Sequence, residues 1–191
     1  MIWQKQGRIG LAVAVMTVLG ACRQGGTEVQ LPVDDSAPVA TDQKRYVPEV
    51  SSDHGDYVRY TINVSYTNAN ATSVYLVPCS KVPPPPDYQL EHFDTEKWAF
   101  NYRPICRTGP GNLPATEIKP GESFSSDLIL DVYTSRTPEN YGYPFLGTDI
   151  EPGVNRIVLE LVSNVDDEGI ATDGLLPLEQ RVSNAFVLEA P

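Results

Sequence analysis

An all-β sandwich is the fold class that three features of this 191-residue chain predict. Apolar and polar residues alternate in several runs, strong turn formers separate those runs, and beyond residue 21 no stretch of about a dozen residues joins helical spacing to freedom from proline. About seven or eight strands without helices imply two sheets packed face to face.

The clearest strand is Tyr57 to Tyr66. Val58, Tyr60, Ile62, Val64 and Tyr66 fall on one face, and Arg59, Thr61, Asn63 and Ser65 on the other, as a half-buried strand requires. Val74 to Val77 is short and apolar on both faces, and Tyr88 to Phe93 is a third run. In the fourth, Trp98, Phe100 and Tyr102 are expected to share a face. Phe124, Leu128, Leu130 and Val132 mark another strand, with Ser125, Asp127 and Asp131 opposite. Ile157 to Val162 reads as buried on both sides, as a central strand would be. Val182 to Leu188 closes the domain.

Between these runs lie Asn68-Ala69-Asn70, the Pro83 to Pro86 tract, Pro110-Gly111, Asp173-Gly174 and two similar segments, Lys119-Pro120-Gly121-Glu122 and Glu151-Pro152-Gly153-Val154. In both of the latter, proline presets φ at the second position and glycine accepts a positive φ at the third, which predicts type II turns.

The N-terminus carries only the positive charges Lys5 and Arg8, then an uncharged apolar run from Ile9 to Ala21. That run is shorter than the roughly 20 residues a membrane-spanning helix needs, and suits the apolar region of a secretory signal. It closes Leu19-Gly20-Ala21-Cys22, which resembles the lipobox of bacterial lipoprotein signal peptides. The resemblance implies that residues 1–21 are removed as a signal helix and that Cys22 is lipidated, with Arg23 in the next position favouring the outer membrane. Several acyl chains at about 0.8 kcal/mol per buried CH₂ would anchor the body without any membrane-binding surface of its own. Residues 22–45, rich in Gly, Pro, Asp, Thr and Ser and without sustained period, are expected to form a flexible stalk, and residues 46–191 the sandwich.

The 14 basic and 25 acidic residues give a net charge of −11, and loss of Lys5 and Arg8 takes it to −13. No nucleic-acid partner is expected of such a body, and anionic lipid should repel it. Cys79 and Cys106 are an even pair in an exported chain, so a disulfide is expected, worth about 3.5 kcal/mol on the chain-entropy model.

Three segments are similar to the bacterial immunoglobulin-like domains of secreted proteins and lipoproteins of unassigned function. They are Leu90-Glu91 through Lys97-Trp98, with the tryptophan expected in the core, Ile118 to Glu122, and Glu151-Pro152-Gly153 leading to Arg156-Ile157-Val158-Leu159. The closing Ser183 to Leu188 also resembles the last strand of such domains. Two positions depart from the pattern: Asn155 stands where an aromatic residue often precedes the arginine, and the cysteine spacing is not that of antibody domains. The resemblance implies an immunoglobulin-like sandwich and no chemistry.

Enzymatic constellations are mostly absent from the sequence. It contains no HExxH, GxSxG or P-loop, and its two histidines are His54 in SSDHGD and His92 in QLEHFD. His54 with Asp53 and Asp56, or Asp166, Asp167, Glu168 and Asp173, do not reproduce a calcium loop, so no metal and no cofactor is expected. The better candidate surface is Tyr133 to Asp149, where Tyr133, Arg136, Tyr141, Tyr143 and Phe145 offer stacking and hydrogen-bonding groups to a glycan or an envelope protein, unless the rings fold back onto the sandwich. The expectation is a lipid-anchored envelope module that binds or presents without catalysis. The alternatives are a protease-inhibitor-like module presenting Ser80 to Pro86 or Thr108 to Pro114, a glycan-binding module, and an enzyme or metal protein.

Overall fold

The structure is a computed structural model and describes residues 36–50, 57–79, 85–104, 106, 113–133 and 150–190. Twelve strands occur among them: β1 (Val39–Thr41), β2 (Arg45–Tyr46), β3 (Glu49–Val50), β4 (Tyr57–Thr67), β5 (Val74–Leu76), β6 (Tyr88–Asp94), β7 (Lys97–Tyr102), β8 (Thr116–Ile118), β9 (Ser123–Tyr133), β10 (Gly153–Leu159), β11 (Leu161–Val162) and β12 (Phe186–Leu188). The one helical element among the described residues is a single 3₁₀ turn, Leu178–Gln180. The chain is an all-β sandwich.

The first sheet is built on β4, which pairs with β9 along its whole length from Tyr57↔Tyr133 to Thr67↔Ser123. Its other edge is shared by β1 near Tyr66 and β3 near Arg59. The second sheet runs β2-β12-β10-β6-β7, and a smaller one runs β11-β5-β8. The alternation in the sequence explains how the sheets meet. Val58, Tyr60, Ile62, Val64 and Tyr66 from β4, with Leu128 and Leu130 from β9, pack against Leu90, Ile157, Leu159, Phe186 and Leu188 of the second sheet. Each buried aliphatic side chain in that layer stabilises the fold by about 1.5–3 kcal/mol. β10 and β11 form one run interrupted at Glu160, whose N–H donates to the Asp87 carbonyl at 2.9 Å while its own carbonyl accepts from Val77. The run thereby passes from the second sheet into the third.

Four sequence expectations change. The stalk expected to reach Arg45 ends earlier: Val39 is fully buried, β1 and β2 lie in two different sheets, and the domain begins before residue 46. A three-residue strand carries no readable period, and β1 is held by its neighbours. Thr41 N–H donates to Asn184 Oδ1 at 2.9 Å, and Asn184 Nδ2 returns a bond to Thr41 Oγ1 at 2.8 Å.

Second, Trp98, Phe100 and Tyr102 do not share a face. Leu90 pairs with Tyr102 but Glu91 pairs with Phe100, so Asn101 is the extra residue of a β-bulge. Tyr102 consequently turns toward the core with Leu90, while Trp98 and Phe100 turn outward with Phe93 and Glu91.

Third, the tryptophan expected in the core lies half-buried on the outer face.

Fourth, only one of the two Pro-Gly segments closes as a type II turn. At Gly121 φ is +79° and Glu122 N–H donates to the Lys119 carbonyl at 2.9 Å. At Gly153 φ is +116°, the residue already belongs to β10, and the Glu151 carbonyl accepts from the Asn101 and Asn155 side-chain amides instead. Buried side-chain donors have taken over the acceptor that would close the turn.

Candidate functional site

The outer face of the second sheet carries the most distinctive surface among the described residues. The registers pair Trp98 of β7 with Phe93 of β6, and place Phe100, Glu91 and Arg156 in one row across β7, β6 and β10. Phe93 and Trp98 lie with ring centroids 5.2 Å apart at 58°. The Arg156 guanidinium sits 4.3 Å from the centroid of the Trp98 ring, a cation–π contact. Glu91 fixes that guanidinium: Arg156 Nε and Nη2 both reach Glu91 Oε2, at 2.7 and 2.6 Å, with the two side chains only 16 % and 15 % exposed. Gln89 Nε2 donates to the other carboxylate oxygen at 3.2 Å.

Phe100 stands beside this pair at 61 % exposure. The face thus combines aromatic edges, an aligned guanidinium and a held carboxylate, a set suited to hydrogen-bond and stack with a partner. Sequence reasoning sent these rings inward because an inward and an outward aromatic row look alike until the bulge is known. The phase of Arg156 with Glu91 emerges only from the pairing of β10 with β6, which the sequence does not give.

A corner below this face holds the cysteines. Cys79 and Cys106 form a disulfide. It ties the excursion between β5 and β6 to the segment that follows β7, and so does a second link: Arg103 Nε and Nη2 donate to Asp87 Oδ1 and Oδ2 at 3.1 and 2.6 Å, with the Asp87 side chain 1 % exposed. The hydrogen bond to Asp87 raises the Arg103 pKa, burial working against it. Glu160 lies 3.7 Å from the same guanidinium.

An open polar cavity of about 310 Å³ lies where Asp42, Arg45, Glu49, Thr61, Asn63 and Asp127 converge beside the edge of β4. Burial pushes the Asp42 carboxyl up, but hydrogen bonds from Tyr46, Gln43 and the Asn63 N–H outweigh it and hold the pKa below the usual range. Tyr46 is pushed far above the ordinary phenol value, by burial first and then by its bond to Asp42. At the other end of the sandwich, His92 leans on Gly153, with Nε2 3.8 Å from Glu151 and a buried Nδ1 that has no hydrogen-bond partner.

Of the residues singled out from sequence, Tyr133 ends β9 opposite Tyr57. Arg136, Tyr141, Tyr143, Phe145, His54 and Cys22 lie outside the described residues. Asp166 serves its own turn, accepting from Glu168 and Ile170 N–H groups through Oδ1. The only set of three potential metal-ligand atoms converging among the described residues is Cys79, Asp87 and Cys106.

No family model matches the chain, and no curated protein does. Among solved structures, a β-glucosidase from Kluyveromyces marxianus in selenomethionine-labelled form is similar at 10 % identity over 80 % of this chain, with a TM-score of 0.26. The same enzyme in complex with glucose matches at 11 % identity over 80 % of this chain, with a TM-score of 0.25. This chain spans about 14 % of the length of those enzymes, and at such scores the likeness carries no argument.

Proposed function

We propose that the chain is a lipid-anchored module of the bacterial cell envelope, immunoglobulin-like in family, that acts by binding a partner through the outer face of its second sheet. The lipobox ending in Cys22 supports the anchoring, and the net charge of −13 after processing keeps the body off anionic lipid and nucleic acid. The observation that carries the binding role is the outward aromatic face in which Phe93 packs on Trp98, Trp98 lies against the Arg156 guanidinium held by Glu91, and Phe100 stands exposed in the same row as that pair. Natural monomers seldom leave such rings on a flat sheet without use.

The partner is an envelope protein or a glycan. A photo-crosslinking residue placed at position 100 should give a defined adduct in envelopes, and the same residue at Ile129, on the outer face of the first sheet, should give none. Equal labelling from both positions would remove the case for this face. Cys22→Ser should separately release the chain from membranes, and unchanged detergent partitioning would refute lipidation.

A protease-inhibitor-like role is the second reading, and one observation favours it. The excursion containing Ser80 to Pro86 is closed at its base by Cys79 N–H to the Pro85 carbonyl at 2.8 Å, Asp87 N–H to the Val77 carbonyl at 2.7 Å, and the disulfide. A loop pinned at its ends binds a protease with little ordering cost. Lys81 within that stretch makes a trypsin-like enzyme the one to titrate, and inhibition that survives Lys81→Ala would exclude this loop.

A further inference from the structure

We propose that the chain, once its disulfide is reduced, binds one thiophilic divalent cation such as zinc or cadmium through Cys79, Cys106 and Asp87. The potential ligand atoms of these three residues all lie within 4.8 Å of one another. Cys79 and Asp87 are buried and Cys106 is half-buried, so a cation entering here exchanges its water for two sulfurs and an oxygen on a side open near Cys106. Two thiolates and a carboxylate make three ligands of a tetrahedral zinc-type site, with bonds of about 2.3 Å to sulfur and about 2.0 Å to oxygen, and water completes it.

What distinguishes this pair from an ordinary disulfide is the second link between the same two segments. When the S–S bond opens, the paired hydrogen bonds from Arg103 to Asp87 still hold residue 103 against residue 87, and the two thiols remain close together. The site is therefore preorganised by groups that reduction does not touch. Charge also closes: two thiolates and Asp87 carry three negative charges, against two from the cation and one from Arg103. Glu160, 3.7 Å from the same Arg103 guanidinium and partly exposed, adds one further negative charge that solvent partly screens. Both Asp87 oxygens already accept from Arg103, so Asp87 would coordinate through a second lone pair of one of them while Arg103 fixes the carboxylate, the usual role of a supported carboxylate ligand.

The chemistry balances in two steps. A dithiol reductant gives two electrons and two protons to the disulfide and is itself oxidised to a cyclic disulfide. The cation then replaces the two thiol protons, breaking two S–H bonds, forming two sulfur–metal bonds and releasing two protons.

The test uses the full chain carrying Cys22→Ser, so that only Cys79 and Cys106 can supply thiols. It is reduced with dithiothreitol, freed of reductant without air, and titrated with cadmium against a competing chelator. The sulfur-to-cadmium absorption should saturate at one ion per chain with release of two protons. It should be absent from the oxidised chain and from Cys79→Ser. Asp87→Asn, folded by circular dichroism, should bind at least tenfold more weakly. Equal affinity in Asp87→Asn, or parent affinity no greater than that of free dithiothreitol, would overturn the site. Should Asp87→Asn fail to fold, the cadmium-113 shift of the parent decides: a mixed sulfur–oxygen shell supports the proposal, and an all-sulfur shell shared by two chains overturns it.

Discussion

The two outer faces of the sandwich are built from the same alternation and end up with opposite character. On the first sheet, the outward residues of β4 and β9 form a polar ladder: Arg59 bonds Asp131 at 2.7 and 3.0 Å, Asn63 Nδ2 donates to Asp127 at 2.8 Å, and Thr67 meets Ser123 at 2.8 Å. Each pair remains in contact with water. On the second sheet, the outward residues are rings and a guanidinium whose partners are largely withdrawn from water. A cross-strand pair is a decoration when both members can return to solvent, and a structural commitment when neither can.

Removing one member of each ion pair breaks this comparison most directly. Arg156→Ala should cost about 3 kcal/mol or more in urea unfolding, because it strands the enclosed Glu91 carboxylate and uncovers Trp98. A loss below about 1 kcal/mol would make the two faces alike. Trp98→Ala should cost about 1–3 kcal/mol through lost ring packing and the lost cation contact, read in the same experiment.

Asp131→Asn, whose pair with Arg59 is more than a third exposed on both sides, should cost less than about 1 kcal/mol, and its effect should fade in high salt. Phe100→Ser should leave stability within about 0.5 kcal/mol while removing partner adducts, since the ring is largely in solvent.

The smallest effect concerns Asp42. Its folded pKa is depressed, so its contribution is fully present above the unfolded carboxyl value of about 3.9 and is lost as pH falls through the lower folded one. Acid unfolding of Asp42→Asn should therefore show a shallower loss of stability below about pH 4, and an unchanged slope would refute that contribution.

How much of this was legible in the sequence depends on length and period. β4 and β9 are eleven residues long, and their core faces followed from alternation alone. The double-sided burial of β10 and β11 and the pairing of Cys79 with Cys106 were also readable. β1, β2 and β3 are two or three residues each, too short for any period, and belong to the fold only through the strands they pair with.

The candidate face was missed for a different reason. A single inserted residue, Asn101, inverts the side of everything before it in β7, and nothing in Lys97-Trp98-Ala99-Phe100-Asn101-Tyr102 announces it. The bulge becomes intelligible once Asn101 is seen donating to the Glu151 carbonyl and to Asn155 Oδ1, contacts made 50 and 54 residues away.

The attachment of β1 has a mechanical corollary. Any tug transmitted along the segment preceding residue 36 arrives at a three-residue strand bolted at once to β4 and, through Val39↔Ser183 and the Asn184 side chain, to the region leading into β12. Load entering there is divided between both halves of the sandwich before either can peel, so a domain hung by its leading end would resist being unravelled from its own tether.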